Sequence, residues 1–280
     1  MNIKKLIAVT LSAATFALSL TACGGKSSDS SAGSSSAAES TTVKLGVVGS
    51  IYEDLWKPAQ ESLKAEGIDL EIVQFSDYAT PNNALNSGDI DLNAFQHQIY
   101  LDNEVEQQGY KIQSIGYTFI IPLNIYSHKV KAISDIKDGD VVAIPDDVTN
   151  GGRAIKVLAA AGLITLKEDA GFNPTLEDIK TYNTKITIKE LKANTIPSVL
   201  DDVTAAVVNG NYALDFGLKT DEAIYKDSVL DEEKYWNLIA ARTEDLQDKD
   251  KVETTETSPA LTSKTFPVAI SICKKLLPMK

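Results

Sequence analysis

The sequence predicts an α/β protein of two lobes, with mainly parallel sheets joined by two crossover segments. Three observations predict it. Short apolar runs alternate with stretches of helical spacing, the order that builds parallel sheets with right-handed crossovers. The order strand, helix, strand, short helix, acidic turn, strand occurs twice, over residues 43–93 and again over 140–209. Each copy ends in polar and aromatic residues, Asn93-Ala94-Phe95-Gln96 in one and Asn209-Gly210-Asn211-Tyr212 in the other. Ligands of open α/β sheets sit just outside the carboxyl ends of strands, so the two endings point to one ligand held between two lobes.

Residues 43–48 alternate and then run apolar to Gly49-Ser50, as a strand does. Residues 53–66 carry Leu55, Trp56, Ala59 and Leu63 at helical spacing, and Gly67 stands where a helix stops. Residues 70–75 are a second strand. Pro81 opens a short helix over 81–86, since proline fits the first turn. Gly88 leads into a third strand within 88–101, a run closing in amides, two aromatics and His97. In the second copy, strands are expected at 140–145, 186–191 and 205–209, a helix over 152–161 closed by Gly162, and a short helix over 196–200. The extended run 116–123 would link the lobes, the second crossing would follow Tyr212, and a strand at 236–242 would return to the first lobe. Such hinges let lobes close on a ligand.

Residues 1–22 read as an export leader: Lys4 and Lys5 precede the mostly apolar run 6–20, which is too short and too rich in Ser and Thr to span a bilayer. Leu20-Thr21-Ala22-Cys23 resembles a bacterial lipobox, which implies cleavage before Cys23 and lipidation of its sulfur and new amino group. Several acyl chains would anchor the protein stably at the extracytoplasmic face of the cell membrane. Residues 23–42 form a Ser/Ala/Gly tether with too little apolar surface to order itself. With Cys23 lipidated, Cys273 has no intrachain disulfide partner, and the fold must rest on its core. The expected division is 43–121 for the first part of lobe 1, 122–213 for lobe 2, 214–250 for the return to lobe 1, and 251–280 for an atypical tail.

The formal charge is −12. Removing the leader takes Lys4 and Lys5 and no acid, leaving 25 basic against 39 acidic residues, or −14. Nucleic acid and anionic headgroups are poor partners for that surface. The sequence has no Gly-x-Ser-x-Gly elbow. Gly24-Gly25-Lys26-Ser27 lacks the upstream glycine of a phosphate loop. Neither histidine has an evident nucleophile partner, so neither an enzyme nor a cofactor is expected. His97 and His128 are far apart, which argues against a metal-uptake site built from His and carboxylates. The acidic runs Asp201-Asp202 and Asp231-Glu232-Glu233 read as solvated loops and helix starts.

Thr149-Asn150-Gly151-Gly152-Arg153 falls between a strand and a helix. Asn150 is the expected N-cap, and the glycines allow the backbone close to a ligand. The helix N-terminus offers free amide donors, and Arg153 a planar fork that matches a carboxylate bidentately. Arg153 and Arg242 are the only arginines. His128 reads as exposed loop, and His97, on residue type alone, as structural.

In Phe75-Ser76-Asp77-Tyr78, in Pro81-Asn82-Asn83-Ala84-Leu85, and in the runs 88–100, 145–153, 205–212 and 236–242, the chain resembles the NlpA/MetQ-type lipoproteins, the methionine-binding subunits of ABC importers. The resemblance covers residues 43–245 and is most specific in 91–101. It implies a periplasmic-binding-protein-like type II fold, L-methionine or a close analogue as ligand, and delivery to a membrane permease and its ATPase. It implies that Tyr78, Phe95 and Tyr100 wall the thioether, a favourable pairing of sulfur with aromatic edges. It puts His97 in the pocket, Arg153 on the carboxylate, and polar ligand contacts at Asn209 and Asn237, whose amides both donate and accept. Asn209-Gly210 alone also reads as a turn dipeptide. The alternatives are another small amino acid, D-methionine or a methionine-containing dipeptide; an enzyme on the same fold stands further back. The resemblance fails after Asp250: residues 251–280 hold five lysines against two glutamates and three prolines, without the helical period the family implies there. An altered or out-of-frame end and a natural divergent tail are the two readings.

Overall fold

The computed structural model describes residues 41–228 and 232–246. The leader, Cys23, most of the tether, Cys273 and the tail 251–280 lie outside the described residues.

Two sheets carry the fold. Strands β1 (Thr41–Val48), β2 (Ile68–Phe75), β3 (Leu92–Asn93) and β4 (Ile112–Tyr117) lie in one; β5 (Leu123–Tyr126), β6 (Val141–Pro145), β9 (Thr187–Leu191) and β10 (Ala205–Asn209) in the other. Between them in sequence, β7 (Ile164–Leu166) and β8 (Ile179–Tyr182) form a separate antiparallel pair, and β11 (Leu238–Arg242) returns to the first sheet. The first sheet runs β2-β1-β3-β11-β4 and the second β5-β10-β6-β9. In each, the strands joined by helices are parallel: β1 with β2 and β3, and β6 with β9 and β10. One strand of each sheet runs against the rest: β11 in the first, between β3 and β4, and β5 in the second, beside β10. The lobes are therefore mainly parallel, and antiparallel where the chain changes lobe.

The helices are α1 (Ile51–Lys64), α2 (Thr80–Ser87), α3 (Gln98–Gln108), α4 (Val148–Ala160) and α5 (Gly210–Asp215). Helix α1 buries Tyr52, Trp56, Ala59 and Leu63, one stripe at alternating spacings of four and three. Full burial of a side chain such as Leu63 contributes roughly 1.5–3 kcal/mol. Pro58 lies on the exposed face of α1, away from the packed stripe. Every residue of β10 is buried, as expected of a central strand covered on both faces.

Four sequence expectations need correction. The third strand is only Leu92–Asn93, because the chain turns out of the sheet into α3. Helix α4 starts at Val148 rather than at residue 152, because Asp147 caps it and accepts from the Asn150 N–H. The short helix expected at 196–200 is a 3₁₀ stretch over Ala193–Val199. After Tyr212 the chain does not cross at once: Ile224 N–H donates to Ile125 O and Ile125 N–H to Tyr225 O, both at 2.9 Å, so the segment pairs along β5 first.

The two crossovers are bonded to each other. Thr118 N–H donates to Asn237 O and Asn237 N–H to Phe119 O, both at 2.7 Å. Gly210 sits against this junction; a Cβ there would collide with the Ile121 side chain and approach Pro122 O to 2.9 Å. Gly210→Ala should therefore destabilise the protein by about 1–3 kcal/mol, as overpacking does. Urea unfolding of the variant checks this, and an unchanged midpoint would show that the junction yields freely.

Candidate functional site

A cavity of about 410 Å³, including its mouth, opens between the two sheets. Tyr78, Phe95, His97, Tyr100, Arg153, Asn209 and Asn237, the seven positions expected from the sequence, all line it, together with Tyr52, Gln96, Ile121, Asn150, Gly210, Asn211 and Tyr235.

One wall is aromatic and is built by a buried amide cluster. Asn82 Nδ2 donates to Gln96 Oε1 at 2.8 Å, Asn93 Nδ2 to Asn82 Oδ1 at 2.9 Å, and Gln96 Nε2 to both Asn82 Oδ1 (2.6 Å) and Asn93 Oδ1 (2.9 Å). Their need for partners away from water draws Gln96 inward and turns the chain after β3. Phe95 then faces the cavity, stacked on Tyr78 with centroids 6.0 Å apart. Tyr100 meets both rings edge-on. Tyr78 is also tied across the lobes: its hydroxyl donates to Asn211 Oδ1 at 2.6 Å, and Asn211 Nδ2 donates to Val48 O at 3.0 Å.

His97 is the N-cap of α3, a role the sequence reading missed because imidazole is not among the usual capping groups. Its Nδ1 accepts from Tyr100 N–H at 3.1 Å. Nδ1 is therefore bare, and in the neutral ring Nε2 carries the proton. Burial, and then the Arg153 charge, push the ring down from 6.5 to about 3. Asn150 lies near the ring without closing a hydrogen bond to Nε2, which is buried and unpartnered.

A carboxylate fixes the polarity of the opposite wall. Asp147 can only accept, and burial raises its carboxyl above the ordinary range. It takes hydrogen bonds from Asn150 Nδ2 at 3.1 Å, from Asn150 N–H and from Thr149 Oγ1. Asn150 must therefore turn Oδ1 the other way, where Asn209 Nδ2 donates to it at 2.9 Å. That leaves Asn209 Oδ1 buried as a free acceptor. Asn209 has φ −62°, so the left-handed turn that its Gly neighbour allows is not formed; Gly210 opens α5 instead.

Arg153 differs from the expectation of a bidentate fork. Its Nη2 donates to Asp227 Oδ2 at 2.5 Å and to Ile121 O at 3.2 Å. Both bidentate edges of a guanidinium use Nη2, and its two hydrogens are spent. Nε is buried and unpartnered, so the Nε–Nη2 edge keeps one N–H for a ligand. The Tyr235 ring packs on the guanidinium, 4.6 Å from centroid to Cζ. One donor of the helix N-terminus is likewise taken, because the Asp147 side chain accepts from the Asn150 N–H. Gly151 and Gly152 serve packing: a Cβ would come within 2.9 Å of Pro145 O in one case and of Asn173 Cα in the other. Asn237 Nδ2 donates to the Tyr52 hydroxyl at 3.3 Å, so part of that amide is already engaged. His128 is exposed and bonded to Asp201. Arg242 ties β11 to the α2–β3 turn through Leu85 O and Ile90 O.

The chain's relatives fit this geometry. The NlpA lipoprotein family model matches residues 43–271. The chain belongs to the NlpA lipoprotein family. The match runs past residue 245, further into the tail than the motif resemblance did. Outer membrane lipoprotein 3 of Mannheimia haemolytica is 39% identical over 85% of this chain and 86% of its own length. D-methionine-binding lipoprotein MetQ of Salmonella typhimurium is 42% identical over 75% of this chain and 78% of its own. A nutrient binding protein from Burkholderia cenocepacia, solved bound to methionine, is 44% identical, with a TM-score of 0.69 over 72% of this chain and 86% of that one. The two-lobed fold is that of this family of solute-binding proteins.

The depressed His97 value has a sign. Between pH of about 6.5 and about 3 the unfolded chain binds a proton at this ring that the folded protein refuses. Stability from His97 is thus full above 6.5 and lost as pH falls. His97→Asn should flatten the acid slope of stability, relative to the parent, by up to about 1.4 kcal/mol per pH unit. Denaturant melts across that window read it, and parallel slopes would contradict the buried neutral ring.

Proposed function

We propose that this protein captures L-methionine outside the cytoplasm and delivers it, chemically unchanged, to an ABC permease and its ATPase. The observation that carries the reading is the polarity of the cavity. Among the described residues on its wall, three buried polar atoms have no protein partner: the donors His97 Nε2–H and Arg153 Nε–H, and the acceptor Asn209 Oδ1. Two donors and one acceptor complement a carboxylate beside an ammonium, the common part of every amino acid. The three rings Tyr78, Phe95 and Tyr100 give the side chain a polarisable apolar seat, suited to a thioether. Methionine-binding relatives over most of the chain support the same reading. Lipidation at Cys23 would keep the protein at the membrane where the permease lies.

Calorimetric titration of ligand-free protein tests this. L-methionine should bind saturably, and norleucine, which lacks the sulfur, should bind about 0.3–1.5 kcal/mol more weakly. Asn209→Ala should weaken methionine binding by about 1.5–3 kcal/mol, because the ammonium loses a charged hydrogen bond. No heat and no thermal shift at millimolar methionine would sink the reading. Equal affinity for D-methionine or a methionyl dipeptide would broaden the ligand class.

A further inference from the structure

We propose that Asp227 is a specificity-determining residue: it holds the cavity electroneutral, so that zwitterions are taken and their anionic analogues refused. The proposal rests on the functional reading above and adds the charge rule of the site. Among the described residues on the cavity wall, Arg153 is the one side chain carrying a full charge, since His97 is neutral and the others are amides, aromatics, Ile121 and Gly210. Alone, a cation buried this deeply would draw in any small carboxylate. Asp227 stands directly behind it with no exposed side-chain surface, against 4% for Arg153, and Oδ2 accepts from Nη2. In so dry a place the two charges cancel at short range. A ligand carboxylate reaching Nε therefore meets a neutral pair, and needs its own positive charge, set against Asn209 Oδ1, to balance the site. Asp147 lies one layer back on the amides of the α4 N-terminus, whose dipole takes up its charge; what field remains acts in the same direction.

The geometry also supplies a clean substitution. The two hydrogen bonds that Asp227 accepts from Arg153 Nη2 and from Leu123 N–H both end on Oδ2. In Asp227→Asn the amide oxygen can stand in that place and keep both of these bonds while the charge is removed. The probes are L-methionine and its α-hydroxy analogue, which keeps the carboxylate and thioether but has a hydroxyl for the ammonium. Parent protein should bind the hydroxy acid at least about tenfold more weakly than methionine, and Asp227→Asn should shift that ratio at least about tenfold toward the hydroxy acid. A purely structural role would weaken both ligands alike. The double variant Arg153→Gln with Asp227→Asn, neutral again, should return the ratio toward the parent value. Should Asp227→Asn fail to fold, the parent alone decides, because equal affinity for the two ligands overturns the proposal. Methionine binding with an unmoved ratio in Asp227→Asn overturns this proposal only. No methionine binding by the parent overturns the functional reading and this proposal together.

Discussion

The pairing of Arg153 with Asp227 governs much of what surrounds it. A guanidinium that is 4% exposed is costly to bury without a counter-charge and hydrogen-bond acceptors. Meeting that demand brings three separate segments to one place. Helix α4 supplies Arg153, the first crossover supplies Ile121 O and the Leu123 N–H, and the chain on its way back supplies Asp227. Asp227 N–H in turn donates to Asn124 Oδ1. The pair is thus tied to both connections between the lobes as well as to the cavity. Its cost in desolvation argues against a role in stability alone.

A second constraint sets the direction of every amide on the same wall. A carboxylate cannot donate, so Asp147 orients Asn150, Asn150 orients Asn209, and Asn209 shows the cavity an acceptor. On the facing wall, a backbone N–H orients His97, which then shows a donor. Neither outcome depends on the ligand. The polar pattern is set before binding, which lowers the ordering cost that capture must offset.

Much of the fold was legible in the sequence, and the reasons are physical. The parallel strands and α1 announce themselves because apolar period and glycine stops coincide, as in Trp56, Leu63 and Gly67. The seven candidate positions were legible as a set that lines one cavity, since amides and aromatics gather at the strand ends. The bonding at those positions was not. Arg153 reads as a fork, but its Nη2 is claimed by Asp227, distant in sequence and ordinary in type. Asn150 reads as a cap, but Asp147 caps more strongly, and Asn150 becomes a relay. The length of the third strand was misjudged because a buried cluster of Asn82, Asn93 and Gln96 overrides local preference. Tyr235 gave no signal, since a lone aromatic in a short turn resembles any core residue.

The central claim is that an amino acid lies between the lobes with its charged end on the polar wall and its side chain on the aromatic one. The most direct test is a crystal structure of the protein with L-methionine. One carboxylate oxygen should lie within hydrogen-bond reach of Arg153 Nε, the ammonium should meet Asn209 Oδ1, and the sulfur should rest among Tyr78, Phe95 and Tyr100. Methionine seated instead in the apolar hollow lined by Leu55, Phe119 and Leu214 would contradict the account.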